Sequence, residues 1–109
     1  MMVGGELDSG AVLVDVRRLC DAPVASLVDV ERVLTDGYAC VLRTEDRRRR
    51  LRGRLQERAV TVSPSGAAGQ AVELRALAQG IARAESEIAQ LRAALQALAA
   101  KASRLRVRS

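Results

Sequence analysis

The series Leu74, Leu77, Ile81, Ala84, Ile88, Leu91, Leu95, Leu98, Ala102 and Leu105 alternates spacings of three and four residues along the C-terminal part of the chain. An α-helix places all of these side chains on one narrow stripe, whereas a strand scatters them over both faces. Residues 70–107 are therefore expected to form one long helix. Its stripe is too narrow and too long to suit an ordinary globular surface, so a second helix must cover it.

The sequence supplies one. Residues 24–62 contain no proline and repeat apolar residues at Leu27, Val30, Leu34, Val41, Leu51, Leu55 and Val62. Gly37 and Gly53 interrupt this helix at a cost of about 1 kcal/mol each relative to alanine. Between the two helices, Ser63-Pro64-Ser65-Gly66-Ala67-Ala68-Gly69 concentrates turn formers, and 63–69 is expected to be a turn.

Reversal about Gly66 brings Leu27 opposite Leu105, Leu34 opposite Leu98, Val41 opposite Leu91, Arg48 opposite Ala84 and Leu55 opposite Leu77. The same reflection pairs Val30 with Ala102, Gly37 with Leu95, Thr44 with Ile88, Leu51 with Ile81 and Arg58 with Leu74. Both edges of the seam specify one register, and small residues face large ones as interdigitation requires. The fold class expected is all-α: an antiparallel hairpin of two long coiled-coil-like helices.

The N-terminal part is less determinate. Residues 1–8 are Gly-rich and expected to be disordered, ahead of a single helical domain over 9–109. Val12, Val14 and Val16 alternate as in a strand, while Val12, Val16, Leu19 and Cys20 share a helical face. A lone strand would have no partner, so a short helix over 9–21 is expected, with Ser9 as its N-cap and Pro23 beyond its end.

The supply of core fillers is thin. The chain of 109 residues has no Phe or Trp, and Tyr38 is its sole aromatic residue. A two-helix rod buries one stripe per helix, yet residues 24–42 carry further apolar side chains outside the seam: Val24, Val28, Val33, Tyr38, Cys40 and Leu42. The facing part of the last helix, around Ala93, Ala94, Ala97 and Ala100, permits close approach. The short N-terminal helix or a second copy of the chain could cover this surplus. A homodimer is the reading preferred, with Val28, Val33, Tyr38 and Leu42 as its self-association face and a larger protein as a further partner.

Net charge is +5, with Lys101 the sole lysine. Acidic residues Asp15, Asp21, Asp29 and Glu31 are expected beside Lys101, Arg104, Arg106 and Arg108 at the open end of the hairpin. The run Arg47-Arg48-Arg49-Arg50 spans about 300° of helix and cannot meet one partner. Arg48 is expected to pack its stem over Ala84, with Glu85 and Glu87 in reach of Arg47 or Arg48. Arg43, Arg50 and Arg54 form an outward stripe without evident acidic cover. Arg43, Arg47, Arg50 and Arg54 are thus the candidate interaction residues of an arginine-rich face. That face is read first as solvated and salt-bridged, and as a nucleic-acid phosphate contact in the alternative. No aromatic platform or zinc ligands accompany it, so nucleic acid is not favoured.

Catalysis has little to work with. There is no histidine, the carboxylates mostly neighbour arginines, and Cys20 and Cys40 have no base or metal-ligand cluster near them in sequence. No enzyme activity, cofactor or metal is expected, and both thiols should stay reduced. The segment MMVGGELDSG lacks the pattern of a signal peptide, no stretch is apolar enough for a membrane span, and the arginine stripe has no adjoining bulky apolar face to insert into a membrane surface. Cytoplasmic location is the expectation, and the preference for Arg over Lys with heavy Ala, Val and Gly usage suggests a GC-rich bacterial source. In architecture the pattern resembles the small secreted helical hairpins of actinobacteria, but their Trp-x-Gly turn has no counterpart in Ser63-Pro64-Ser65-Gly66. It is equally similar to flagellar and secretion export chaperones and to the helical arms of larger enzymes, and no family is assigned. The function expected is a protein–protein interaction or scaffold module.

Overall fold

The computed structural model describes residues 8–61 and 66–108, and among them every regular element is helical. α1 spans Ser9–Asp21, α2 spans Leu27–Val60 and α3 spans Ala67–Arg108. The expected disordered segment falls outside the described residues except for Asp8, and Ser63 to Ser65 of the expected turn fall outside them too.

Local chemistry explains where each helix starts. The N-cap of α1 is Asp8 and not Ser9: Asp8 has extended backbone angles and its carboxylate accepts from the Gly10 amide. A carboxylate is favoured over a hydroxyl there because it also meets the positive end of the helix dipole. α2 begins at Leu27, later than the expected Val24, because Ser26 caps it. The Asp29 amide donates to Ser26 Oγ at 3.4 Å, and the Val30 amide donates to the Ser26 carbonyl at 3.0 Å. α3 starts at Ala67, earlier than the expected Gln70. Alanine at 67 and 68 favours helix enough to carry the single glycine at 69.

The chain forms two compact units. The first comprises Met1–Leu42 and Ala89–Ser109, and so contains α1, the N-terminal half of α2 and the C-terminal half of α3. Its core is made of Val12 and Val16 from α1, Val30, Leu34, Cys40 and Val41 from α2, and Leu91, Leu95, Leu98 and Ala102 from α3. Leu95 lies against Gly37, where an added Cβ would meet Leu95 Cδ1 and Cγ at 3.3 Å and come closer still to Cδ2. Val14, which would face inward in a strand, is exposed, whereas Val12 and Val16 are buried one helical turn apart.

The second unit comprises Arg43–Ile88. Thr44 on α2 and Ile81, Ala84 and Ile88 on α3 are buried in it. Leu51, Leu55, Leu74 and Leu77 are half-buried, so coverage of the stripe thins toward the far ends of both segments. Leu51 Cδ1 lies 3.3 Å from where a Cβ on Gly80 would stand.

Candidate interaction surfaces

The ends of α1 and α2 are each closed by a side chain from α3. The last carbonyls of a helix have no intrahelical donor. In the first unit the Lys101 ammonium donates to the carbonyls of Leu19 at 2.5 Å, Ala22 at 2.6 Å and Cys20 at 3.5 Å. Three N–H bonds thus meet three carbonyls, and a positive charge stands at the negative end of α1. In the second unit the Gln70 side-chain amide donates to the carbonyls of Arg58 at 2.6 Å and Thr61 at 2.9 Å. Sequence reasoning placed Lys101 beside carboxylates and gave Gln70 no role. The signal available was that Lys101 is the one lysine in an arginine-rich chain: a compact ammonium can turn three donors onto clustered carbonyls, while a planar guanidinium cannot.

Most of the arginine run is occupied. Arg47 pairs with Glu87, and Arg52 pairs with Glu85 at 2.5 Å. Arg58 pairs with Glu73 at 3.0 Å. Along these pairs the α2 numbers rise as the α3 numbers fall. Asp46 accepts from both Arg49, at 3.1 Å, and Arg50. Of the four expected interaction residues, Arg47 and Arg50 are therefore committed to carboxylates within their own unit. Arg50 was expected to lack acidic cover, but Asp46 lies one turn before it, where an i,i+4 pair forms readily. Arg43 and Arg54 are exposed and make no ion pair among the described residues. Arg48 is half-buried.

The first unit holds most of the uncovered apolar surface. Val28, Tyr38 and Leu42 on α2 are 73%, 48% and 66% exposed. At about 100° per residue they fall within one arc of roughly 80°, which borders the buried stripe of Val30, Leu34 and Val41, Tyr38 lying about 40° round the helix from Leu34. Glu31 and Thr35 lie on the same arc, and Glu31 pairs with Arg106 of α3 at 2.9 Å. Val33 does not join this face. It is half-buried about 180° away and lines a cleft with Asp15, Arg18 and Leu19 of α1 and with Asp29 and Arg32 of α2. Here α1 lies beside one of the surplus residues, Val33, and Cys40 is buried on the same flank of α2.

No protein-family model, curated protein or solved structure matches this chain. The surfaces are therefore interpreted from their residues.

Among the described residues no group of His, Cys, Asp and Glu could hold a metal ion. No helix there is long and apolar enough to cross a membrane. Cys20 is half-buried with its thiol 3.9 Å from the Ala94 carbonyl. Burial, reinforced by the Asp21 carboxylate, holds this thiol above its ordinary pKa, and the Lys101 charge offsets only part of that. The neutral thiol is the poorer nucleophile.

Proposed function

We propose that the chain is a non-enzymatic interaction module: an antiparallel helical hairpin that dimerises through the outward arc of α2 and offers its remaining helix faces to a larger protein. The hairpin reading is supported by opposite-running pairs within each unit, Gly37 with Leu95 and Glu31 with Arg106 in the first, Arg47 with Glu87 and Arg58 with Glu73 in the second.

The observation that carries self-association is the apolar arc of α2, where Val28, Tyr38 and Leu42 are 73%, 48% and 66% exposed side by side, a contiguous patch of the kind that marks an interaction site. Val28, Tyr38 and Leu42 form the exposed apolar arc in the better-packed unit, so a second copy seated there removes the most apolar surface per contact.

Light scattering tests this. The wild-type chain is expected at twice 11.7 kDa, and the Tyr38→Glu, Leu42→Glu double variant at the single-chain mass with its helicity retained. A wild-type monomer at millimolar concentration, or a double variant that stays dimeric, overturns the proposal. Phosphate binding through Arg43 and Arg54 would instead appear as retardation of random duplex DNA at low salt that vanishes steeply as salt rises.

A further inference from the structure

Beside the end of α1, the first unit contains an open cleft of about 390 Å³ lined by Cys20, Pro23, Val24, Ala25, Lys101, Arg104, Leu105 and Arg108. Its size falls in the range of small-molecule sites. Its chemistry is lopsided: three cations and an apolar wall, with no carboxylate among the lining residues.

Lys101 has its three donors directed at α1 carbonyls. Arg104 and Arg108 differ from it. They stand one helical turn apart on α3, both are exposed, and neither makes an ion pair among the described residues. Like charges at this spacing repel each other, and an anion between them removes that repulsion while accepting charge-assisted hydrogen bonds. Next to them lies apolar surface without cover, Val24 being 88% exposed in the segment between α1 and α2. A purely inorganic anion would leave that wall wet, and a neutral hydrocarbon would leave the guanidinium pair uncompensated.

We infer that this cleft binds an anionic amphiphile, a carboxylate or phosphate head held by Arg104 and Arg108 with a short apolar tail against Pro23, Val24 and Leu105. The cleft shares no lining residue with the α2 arc proposed for self-association, so substitutions can test each without touching the other.

Cys20 lines the cleft and serves as the reporter, with buried Cys40 as the internal control. The probes are octanoate and octyl phosphate below their micellar concentrations, with octanol, acetate and inorganic phosphate as controls. Comparing the first two distinguishes a carboxylate from a phosphate head. Octanoate, octyl phosphate or both are expected to slow alkylation of Cys20 saturably, while the three controls do not. The Arg104→Gln, Arg108→Gln double variant should weaken that protection about tenfold or more, since two charge-assisted contacts are lost. Val24→Asp, which changes no helix, should abolish it independently. Protection by octanol equal to that by octanoate, protection that survives both variants, or none from either amphiphile overturns the inference.

Discussion

Gly37→Ala and Gly53→Ala make the same chemical change in the same helix, yet only the second should stabilise the protein. In each case alanine lowers the backbone entropy lost on folding and favours the α2 helix by about 1 kcal/mol. At Gly53 the new methyl meets nothing within 4 Å, so the full gain is expected. A domain of this size then gains about 4–8 °C in Tm. At Gly37 the methyl would run into Leu95, whose side chain is 0% exposed and cannot turn aside into solvent. Forcing a methyl into a filled core costs about 1–3 kcal/mol, which cancels or exceeds the helix gain. Gly37→Ala should therefore be neutral to about 2 kcal/mol destabilising. Leu95→Ala by itself should cost about 2–5 kcal/mol, and in that background Gly37→Ala should become stabilising because the obstruction is gone. The assay is denaturant unfolding followed by circular dichroism at one protein concentration, arranged as a double-mutant cycle. Equal stabilisation by the two glycine substitutions, or additive effects of Gly37→Ala and Leu95→Ala, would refute the packing of Leu95 onto a bare backbone.

Lys101→Met keeps the stem and removes the ammonium that closes α1. The loss should be about 1–2 kcal/mol after allowing for partial exposure, with hydrogen exchange accelerating over residues 9–21 and little elsewhere. Exchange that rises evenly across all three helices would contradict this. Cys20 should alkylate with an inflection at higher pH in the folded protein than in the urea-unfolded chain, since burial holds its pKa up. The unfolded chain then loses its proton first, so this group's contribution to stability is intact below the unfolded thiol pKa and declines as pH rises above it. An inflection at or below the unfolded value would contradict that. Arg47→Gln and Arg52→Gln remove exposed pairs with Glu87 and Glu85, and each should cost no more than about 1 kcal/mol. A loss of several kcal/mol from either would mean that the second unit is held by ion pairs rather than by Ile81, Ala84 and Ile88.

Burial along the seam was legible from spacing alone. Of the positions the three-four alternation selects, Val30, Leu34, Gly37, Val41 and Thr44 on α2 and Ile81, Ala84, Ile88, Leu91, Leu95, Leu98 and Ala102 on α3 are buried, while Leu27, Arg48, Leu51, Leu55, Leu74, Leu77 and Leu105 are half-buried and Arg58 is exposed. Periodicity specifies direction from a helix axis, so it succeeds wherever one stripe decides burial. The same periodicity sets Val33 about 180° from Val28, Tyr38 and Leu42, so the four do not form one face; what spacing does not give is that α1 lies on the Val33 side. Nor could it find Lys101 and Gln70 as helix-end closures. Those contacts are with backbone carbonyls, which leave no mark on side-chain pattern. Arg50, expected to lack acidic cover, pairs with Asp46 one turn before it on the same helix, a spacing at which opposite charges meet.

The pairing of α2 with α3 inside a single copy is tested most directly by one distance. Spin labels at Arg32→Cys and Ala100→Cys, both exposed positions, can be introduced in a Cys20→Ser background with buried Cys40 left in place. Doubly labelled protein is then refolded with excess unlabelled chain, so that only distances within one copy are read. A doubled-back chain puts the labels at one level, below about 30 Å apart given helix packing distances of 8–10 Å. A helix running straight through residue 66, its stripe covered by another copy, would separate them by about 100 Å, and that result would contradict the account.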